Sequence, residues 1–212
     1  MSEIKYNART FSMLGMGGSI VGIAAPALRE TYPLKLLSAD MSRVAGASRF
    51  ISQYPNDFYN LGIAEQNMIG VSAGLASEGY KCVDIAQACF ISMRCFEQVR
   101  QMLGYMGNNI ILVGIASGYS LTYFGNTHYA LEDVALIREI PTMTVISPSD
   151  AFEAVKAFEK ALEIDGPVYI RLYGGTNIPM IYRKECDFQV GKAIQLKEGK
   201  DIQIIATGSR VL

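Results

Sequence analysis

Residues 110–116 read IILVGIA, an apolar run with no polar residue in it. A strand exposed on one face alternates apolar and polar residues, whereas a continuous apolar run is typical of a strand covered on both faces of a parallel sheet. We therefore predict a buried parallel strand over 109–116. Five further short apolar segments predict neighbouring strands: 35–39, 57–61, 81–86, 142–146 and 168–172.

Helical patterns separate these segments. Residues 93–106 and 151–162 carry apolar side chains at intervals of three and four, and the second pattern begins after Asp150, a residue type favoured at helix N-termini. Residues 65–78 are small or apolar almost all round, which predicts a buried helix with close contacts. The alternation of strands and helices predicts an α/β domain over 1–174, with a mostly parallel sheet and helices on both faces.

The C-terminal part of the chain has a different pattern. Residues 175–200 are irregular, contain proline and charges, and predict a linker. DIQIIA at 201–206 then predicts a new strand, and we interpret 201–212 as the opening strand of a truncated C-terminal domain.

Composition narrows the possible functions. The 212 residues are 50% hydrophobic, and 19 Lys and Arg against 20 Asp and Glu give a net charge of −1. Without a basic cluster, no nucleic-acid partner is expected. No apolar run approaches the roughly 20 residues that cross a bilayer, and the start, MSEIKYNARTF, lacks the apolar centre of a secretory signal. We therefore expect no membrane association and a cytoplasmic location.

The cysteines and the histidine do not suggest a metal site. Cys82, Cys89, Cys95 and Cys186 form no C-x-x-C pair, and His128 is the only histidine. A zinc site is not expected from this set, and we assign no metal-ligating residues to the chain. Free thiols are consistent with a reducing cytoplasm.

Chemically useful side chains follow the predicted strands, where parallel α/β sheets bind ligands. They are Asp40, Glu65, Gln87, Phe90, His128 and Arg171. Taken singly, Asp40 can cap a helix, Glu65 can favour a helix N-terminus and Arg171 can pair with a surface carboxylate. Their convergence on one edge favours a functional site. GMGGS at 15–19 resembles a phosphate-binding loop only faintly, because it precedes the first predicted strand.

Three motifs occur in a characteristic order: NLGIAEQNM at 60–68, RCFEQVR at 94–100 and THYALED at 127–133. They resemble the GIAEQNM, RAFEQIR and THQALED motifs of transketolase-type thiamine-diphosphate enzymes. The resemblance covers about residues 9–172 and implies the pyrimidine-binding domain of that family. The architecture that it implies is the C-terminal subunit of a split transketolase.

The resemblance implies catalytic and substrate-binding roles. Glu65 matches the glutamate that shares a proton with N1′ of the cofactor's aminopyrimidine, and Glu65 and His128 form the expected catalytic pair. His128 and Arg171 match positions that face the sugar and its phosphate. A planar, permanently charged guanidinium such as that of Arg171 suits a phosphate.

The resemblance also implies a cofactor-binding set. Phe90 is expected to pack on the pyrimidine ring whose N1′ Glu65 holds. Gln87, Asp40 and Arg94 complete the set.

Three positions depart from the family pattern. Ala116 stands where a substrate-binding histidine is usual, Phe124 where an aspartate contacts the donor hydroxyl, and Gln87 where many members have an aromatic residue. Activation through Glu65 is therefore expected to be retained, while the donor contacts are altered. A less hydroxylated donor or a specialised sugar pathway is the resulting hypothesis.

The chain has no GDG…N segment of the kind that holds Mg²⁺ and the diphosphate in this family. We therefore expect thiamine diphosphate and Mg²⁺ to be held mainly by an N-terminal partner subunit, in a homodimer or heterotetramer. The expected reaction moves a two-carbon ketol, or related acyl, unit from a sugar-phosphate or 2-oxo donor to an aldehyde. The alternatives are the β subunit of a 2-oxo-acid dehydrogenase, a deoxyxylulose-phosphate-synthase-like enzyme, and a non-catalytic scaffold or regulatory half.

Overall fold

The computed structural model describes residues 4–182 and 186–211, and within them the fold is built on one six-stranded sheet. The strands are β1 (Leu34–Ser38), β2 (Phe58–Asn60), β3 (Lys81–Gln87), β4 (Ile110–Ile115), β5 (Thr144–Ile146) and β6 (Val168–Arg171). Their order across the sheet is β2-β1-β3-β4-β6-β5, and all neighbours are parallel. The predicted α/β fold is confirmed, and each strand expected within 1–174 is present with bounds shifted by at most two residues.

Helices and helical turns cover this sheet. The α-helices are α1 (Ala8–Ser19), α2 (Ala25–Leu28), α3 (Ser48–Gln53), α4 (Glu65–Ser77), α5 (Phe96–Gln98), α6 (Asp133–Arg138) and α7 (Ala151–Glu163). Wider π-helical turns occupy Ile20–Ala24, Phe90–Arg94 and Val99–Tyr105. The prediction of one regular helix over 93–106 is therefore wrong in detail, because two π-helical segments flank α5. The predicted N-terminus of α7 is confirmed, since the Asp150 carboxylate accepts a hydrogen bond from Glu153 N at 2.9 Å.

Both faces of the sheet are buried, as the apolar strands predicted. In β1, Leu36 belongs to the core beneath α1 and α7, whereas its neighbour Leu37 belongs to the core beneath α4 and α6. In β4, Val113 and Leu112 divide between the two cores in the same way. This alternation follows from the two-residue period of a strand. Because both faces are covered, ligands can bind only at the ends of the strands.

The first helical segment was not predicted. Ala8–Leu28 is 21 residues long and apolar enough, by length and composition, to cross a membrane, so the expectation that no such run exists is wrong. More than half of its most apolar window is buried inside the fold. Phe11 and Ile20 of this segment are fully buried in the core shared with α7. Its apolar character is accounted for by this packing.

The GMGGS stretch lies inside this helical segment. Gly15 interrupts α1 with a φ of +69°, a left-handed conformation that favours glycine. A Cβ on Gly15 would lie 2.1 Å from the carbonyl oxygen of Gly175, so the glycine also permits a close backbone approach. The stretch therefore positions the chain that follows β6.

The segment after β6 folds back over α1 and α7. Ile178 N donates to Ser12 O at 3.1 Å, and Asp150 accepts from the backbone of Ile181 and Tyr182. No strand forms at 201–206, which corrects the strand predicted there. Its isoleucines Ile202, Ile204 and Ile205 are 81–85% exposed, because no described element packs on them. The division into a domain at 1–174, a linker and a second domain at 201–212 stays a prediction, and its ends at Met1 and Leu212 lie outside the described residues.

Candidate functional site

The carboxyl ends of the strands form one edge of the sheet, called here the carboxyl edge. After β2 the chain turns through Gly62, whose φ is +74°, and enters α4 at Glu65. This entry places the Glu65 carboxylate in the first turn of the helix, where backbone N–H groups and the helix dipole favour a negative charge. The Glu65 side chain is only 3% exposed. A buried carboxylate at the edge where ligands bind is the centre of the candidate site.

Glu65 is paired with Arg94. Its Oε2 accepts a hydrogen bond from Arg94 Nη1 at 2.8 Å, which compensates part of the cost of burying the carboxylate. Arg94 comes from the π-helical turn after β3, and its backbone oxygen accepts from the Gln66 side chain at 3.1 Å. The two segments that the motifs at 60–68 and 94–100 define are thus joined at the site.

Phe90 supplies the aromatic surface beside this pair. The guanidinium carbon of Arg94 lies 4.0 Å from the centre of the Phe90 ring, a cation–π contact. The Phe90 ring also contacts the His128 ring in an edge-to-face arrangement, with the centroids 5.3 Å apart and an angle of 69° between the planes. The structure therefore brings four of the predicted residues into one group: Glu65, Phe90, Arg94 and His128.

The loop that carries His128 contains aromatic side chains that pack against one another. Phe124 lies against the His128 ring at 4.7 Å with a 30° angle between the planes, and Tyr123 lies against Phe124 at 4.4 Å. Thr127 Oγ1 is 2.9 Å from His128 Nδ1. Sequence reasoning found Phe124 as a departure from the family pattern, but it did not foresee that Phe124 would pack on the histidine.

The start of this loop is tightly packed. Ala116 follows β4 with a φ of +58°, in the left-handed region, and is 7% exposed. A Cβ on Gly174 would lie 3.2 Å from Ala116 Cα, so the backbones after β4 and β6 approach closely. A bulky side chain at position 116 would be strained in this conformation. The small residue there fits the local geometry.

Arg171 stands in a second acid–base pair. Its Nε donates to Asp133 Oδ2 at 2.8 Å, and its Nη2 donates to Ala130 O at 3.2 Å. Asp133 is fully buried and also accepts from Tyr169 Oη at 2.9 Å, while burial and the Asp133 charge raise the pKa of Tyr169. Arg171 is thus engaged inside the protein. The role in phosphate binding stays a prediction, and this pairing does not favour it.

Asp40 and Gln87 lie apart from the central contacts. Asp40 is exposed and exchanges hydrogen bonds with Asn60, whose Oδ1 accepts from Asp40 N at 3.0 Å. Gln87 ends β3, and its Oε1 lies 3.9 Å from Cys89 Sγ. Neither has a polar contact with Glu65 in the part of the chain that the structure describes. Their assignment to cofactor binding stays a prediction.

Sequence reasoning missed a buried acid next to the site. Asp84 in β3 is fully buried, accepts from Ser72 Oγ of α4, and has no partner for Oδ2 among the described residues. Burial raises its pKa to about 8. Burial also raises the pKa of the thiols Cys82 and Cys95 to about 12, with Asp84 adding to the effect at Cys82 and Glu65 adding to it at Cys95. An Asp inside the apolar strand pattern at 81–86 was the available signal.

The group around Glu65 fits the pyrimidine half of thiamine diphosphate. A buried carboxylate provides a partner for the protonated ring nitrogen N1′, and the half-buried Phe90 ring provides an apolar face for stacking. These are the two contacts that an aminopyrimidine requires. Glu65 and Phe90 are the residues that would hold it.

The chain is similar to known proteins over most of its length. The model of the transketolase pyrimidine-binding domain matches residues 16–174. The 6-deoxy-6-sulfo-D-fructose transketolase subunit SqwH of Clostridium sp. is 40% identical over 82% of this chain and 54% of its own length. An apulose-4-phosphate transketolase subunit of Phocaeicola vulgatus is 37% identical over 86% of this chain and 59% of its own length.

A solved structure has the same fold. It is described as a split-gene transketolase, inactive β4 tetramer, and it matches 88% of this chain and 58% of its own with 36% identity and a TM-score of 0.74. The chain spans just over half the length of the relatives that it matches, from 54 to 59%.

Proposed function

This chain belongs to the transketolase family, with residues 16–174 as the pyrimidine-binding domain, and we propose that it is one half of a split thiamine-diphosphate-dependent transferase. The reaction is the transfer of a two-carbon ketol, or related acyl, unit from a donor to an aldehyde. The observation that carries the proposal is the buried Glu65 carboxylate beside the Phe90 ring at the carboxyl edge. The names of the split transketolase subunits among its relatives support it.

The role proposed for Glu65 is to share a proton with the pyrimidine ring of the cofactor. When bound, thiamine diphosphate supplies a nucleophilic thiazolium carbon that accepts and releases the transferred unit. Glu65 would hold N1′ of the aminopyrimidine through a shared proton, and its burial would keep water from competing for that hydrogen bond. Phe90 would fix the plane of the ring by stacking. Such positioning matters because a small misplacement of reacting groups lowers the rate strongly.

A partner subunit completes the active site in this proposal. Within the described residues, no group of three or more His, Cys, Asp or Glu side chains is placed to hold a metal ion. In this proposal Mg²⁺ and the diphosphate are bound by an N-terminal, diphosphate-binding subunit, which the absence of a GDG…N segment from this sequence supports. The solved split-gene relative is described as an inactive β4 tetramer, and its inactivity supports the proposal. The four free cysteines support a cytoplasmic location for the assembly.

The loop at His128 suggests the class of donor. His128 lies where it can contact a donor, but Phe124 presents an aromatic ring and no carboxylate beside it. With Arg171 paired to Asp133, this part of the edge favours a donor with few hydroxyl groups. Pyruvate and xylulose 5-phosphate are the two donors to compare, because pyruvate turnover would favour the dehydrogenase-like or deoxyxylulose-phosphate-synthase-like alternatives.

The proposed function is tested with Glu65→Gln. The chain is assembled with a diphosphate-binding subunit, Mg²⁺ and thiamine diphosphate, and exchange of the C2 proton for deuterium is followed by NMR. We expect exchange to slow by about 100-fold or more, because glutamine cannot transfer a proton to N1′.

Glu97→Gln is the matched control for this experiment. Glu97 is exposed in α5 and pairs only with exposed groups, Arg100 and Gln101. It should exchange at the wild-type rate. Full exchange in Glu65→Gln would contradict the assignment, and a complex that never binds the cofactor would favour a scaffold or regulatory half.

A further inference from the structure

The Arg94 side chain holds two contacts at once. Its Nη1 donates to Glu65 Oε2 at 2.8 Å, and its guanidinium carbon lies 4.0 Å from the centre of the Phe90 ring. Because one planar group touches both, it lies over the face of Phe90 that is next to Glu65. Among the described residues, no other has a hydrogen bond, ion pair or ring contact with both side chains.

A guanidinium resembles a protonated aminopyrimidine in its contacts. Both are flat, both carry N–H donors at their edge, and both stack on aromatic faces. An aminopyrimidine bound through N1′ to Glu65 Oε2 and stacked on the same face of Phe90 would therefore fill the volume that the Arg94 guanidinium fills here. At that oxygen and that face, only one of the two groups can bind at a time.

We propose that Arg94 is the resident occupant of the pyrimidine site and must leave it before the cofactor's ring can bind. This inference rests on the proposed function, and it reverses the role expected for Arg94 from the sequence. As a cofactor ligand, Arg94 would strengthen binding of the pyrimidine. As an occupant of the site, it competes with the pyrimidine for Glu65 and Phe90.

Arg94 is built to leave without disturbing the backbone. Gln66 Nε2 donates to Arg94 O at 3.1 Å, and this bond holds the backbone of the turn without involving the Arg94 side chain. The Arg94 side chain is 43% exposed, so water can solvate the guanidinium once it leaves Glu65. While in place, it keeps the buried carboxylate paired and excludes other cations.

The binding test uses the isolated pyrimidine as probe. 4-Amino-5-hydroxymethyl-2-methylpyrimidine is titrated into the chain and followed by amide NMR shifts. Arg94→Met keeps the length of the side chain and removes its charge and its donors. We expect this variant to bind the probe about fivefold more tightly than the wild type, which corresponds to the loss of a half-exposed competing ion pair.

Arg100→Met is the matched control. Arg100 lies in the next helical segment, and its side chain is paired only loosely with the exposed Glu97, at 3.8 Å. It should bind the probe as the wild type does. An Arg94→Met chain that binds the probe no more tightly than the wild type, whether both are weak or undetectable, would overturn the proposal.

Two further measurements separate this proposal from the proposed function. In the double variant Glu65→Gln, Arg94→Met, the gain in affinity should disappear; if it persists, Glu65 is not the acceptor and the proposed function fails. If Glu65→Gln alone weakens binding while Arg94→Met has no effect, only the proposal for Arg94 fails. In the wild type, the Arg94 guanidinium signals should shift and exchange faster as the probe binds, and unchanged signals at saturation would overturn displacement.

Discussion

Two acid–arginine pairs lie at the carboxyl edge, and they differ in how firmly each arginine is held. In both, one guanidinium nitrogen lies 2.8 Å from a carboxylate oxygen, Glu65 with Arg94 and Asp133 with Arg171. Asp133 also accepts from Tyr169, and Arg171 also donates to Ala130 O. Arg94 has the Phe90 ring as its second partner.

Exposure separates the pairs further. The Arg94 side chain is 43% exposed and that of Arg171 is 23% exposed, although both carboxylates are buried. A buried charge that loses its partner is costly, whereas an exposed one is solvated again. Equal distances therefore do not mean equal roles: Arg171 joins β6 to the loop before α6, whereas Arg94 lies at the site proposed for the pyrimidine ring.

The largest predicted effect is the loss of stability caused by Arg171→Met. This change leaves the fully buried Asp133 without its cation, so we expect the free energy of unfolding to fall by about 3 kcal/mol. Urea unfolding at pH 7 measures it. Arg138→Met, at the exposed end of the same α6, is the control and should change stability by less than about 0.5 kcal/mol. A loss from Arg171→Met as small as that of the control would show that the pair does not hold the loop.

A third buried acid, Asp84, has no arginine partner among the residues that the structure describes. Its pKa is raised to about 8 by burial, so the folded protein keeps it protonated at pH values where the unfolded chain has released the proton. The folded state therefore binds more protons between about pH 4 and pH 8, and stability should fall as pH rises through this window.

Asp84→Asn should remove this dependence. The wild type is expected to lose about 1 kcal/mol for each pH unit between pH 5 and pH 7 relative to the variant. Asparagine keeps an oxygen that can accept from Ser72 Oγ, so the core contact is preserved. Urea unfolding at pH 5, 6 and 7 tests the difference, and parallel pH profiles for the two proteins would mean that Asp84 is ionised in the fold.

The strands could be predicted because their signal is local. The run at 110–116 is apolar throughout, and a strand buried on both faces needs no other information. The Ala8–Leu28 segment could not be, because Gly15 breaks the helical geometry and glycines interrupt its apolar period. The π-helical turn at Phe90–Arg94 was hidden for a similar reason, since its period differs from that of an α-helix.

The candidate site also has a part that the sequence predicts and a part that it does not. Glu65 and Arg94 belong to short motifs, so their presence at the edge could be predicted from the sequence. Their pairing, and that of Arg171 with Asp133, joins residues 29 and 38 positions apart, which no local pattern encodes. The sequence therefore indicated which residues gather at the edge, while their roles depend on tertiary contacts.

The smallest predicted effect is the loss of stability caused by Arg94→Met. It decides whether the Glu65–Arg94 pair differs from the Asp133–Arg171 pair. We expect a loss of about 1 kcal/mol, because removing the half-exposed guanidinium of Arg94 opens a path for water to the Glu65 carboxylate, whereas Arg171 is less exposed and its removal leaves Asp133 enclosed. Urea unfolding at pH 7, run beside Arg171→Met, gives the comparison directly. If both variants lose the same several kcal/mol, then Arg94 is as firmly structural as Arg171. Displacing it would in that case cost more than a pyrimidine ring can return through one hydrogen bond and one stacked face, and the site could not open by the route proposed here.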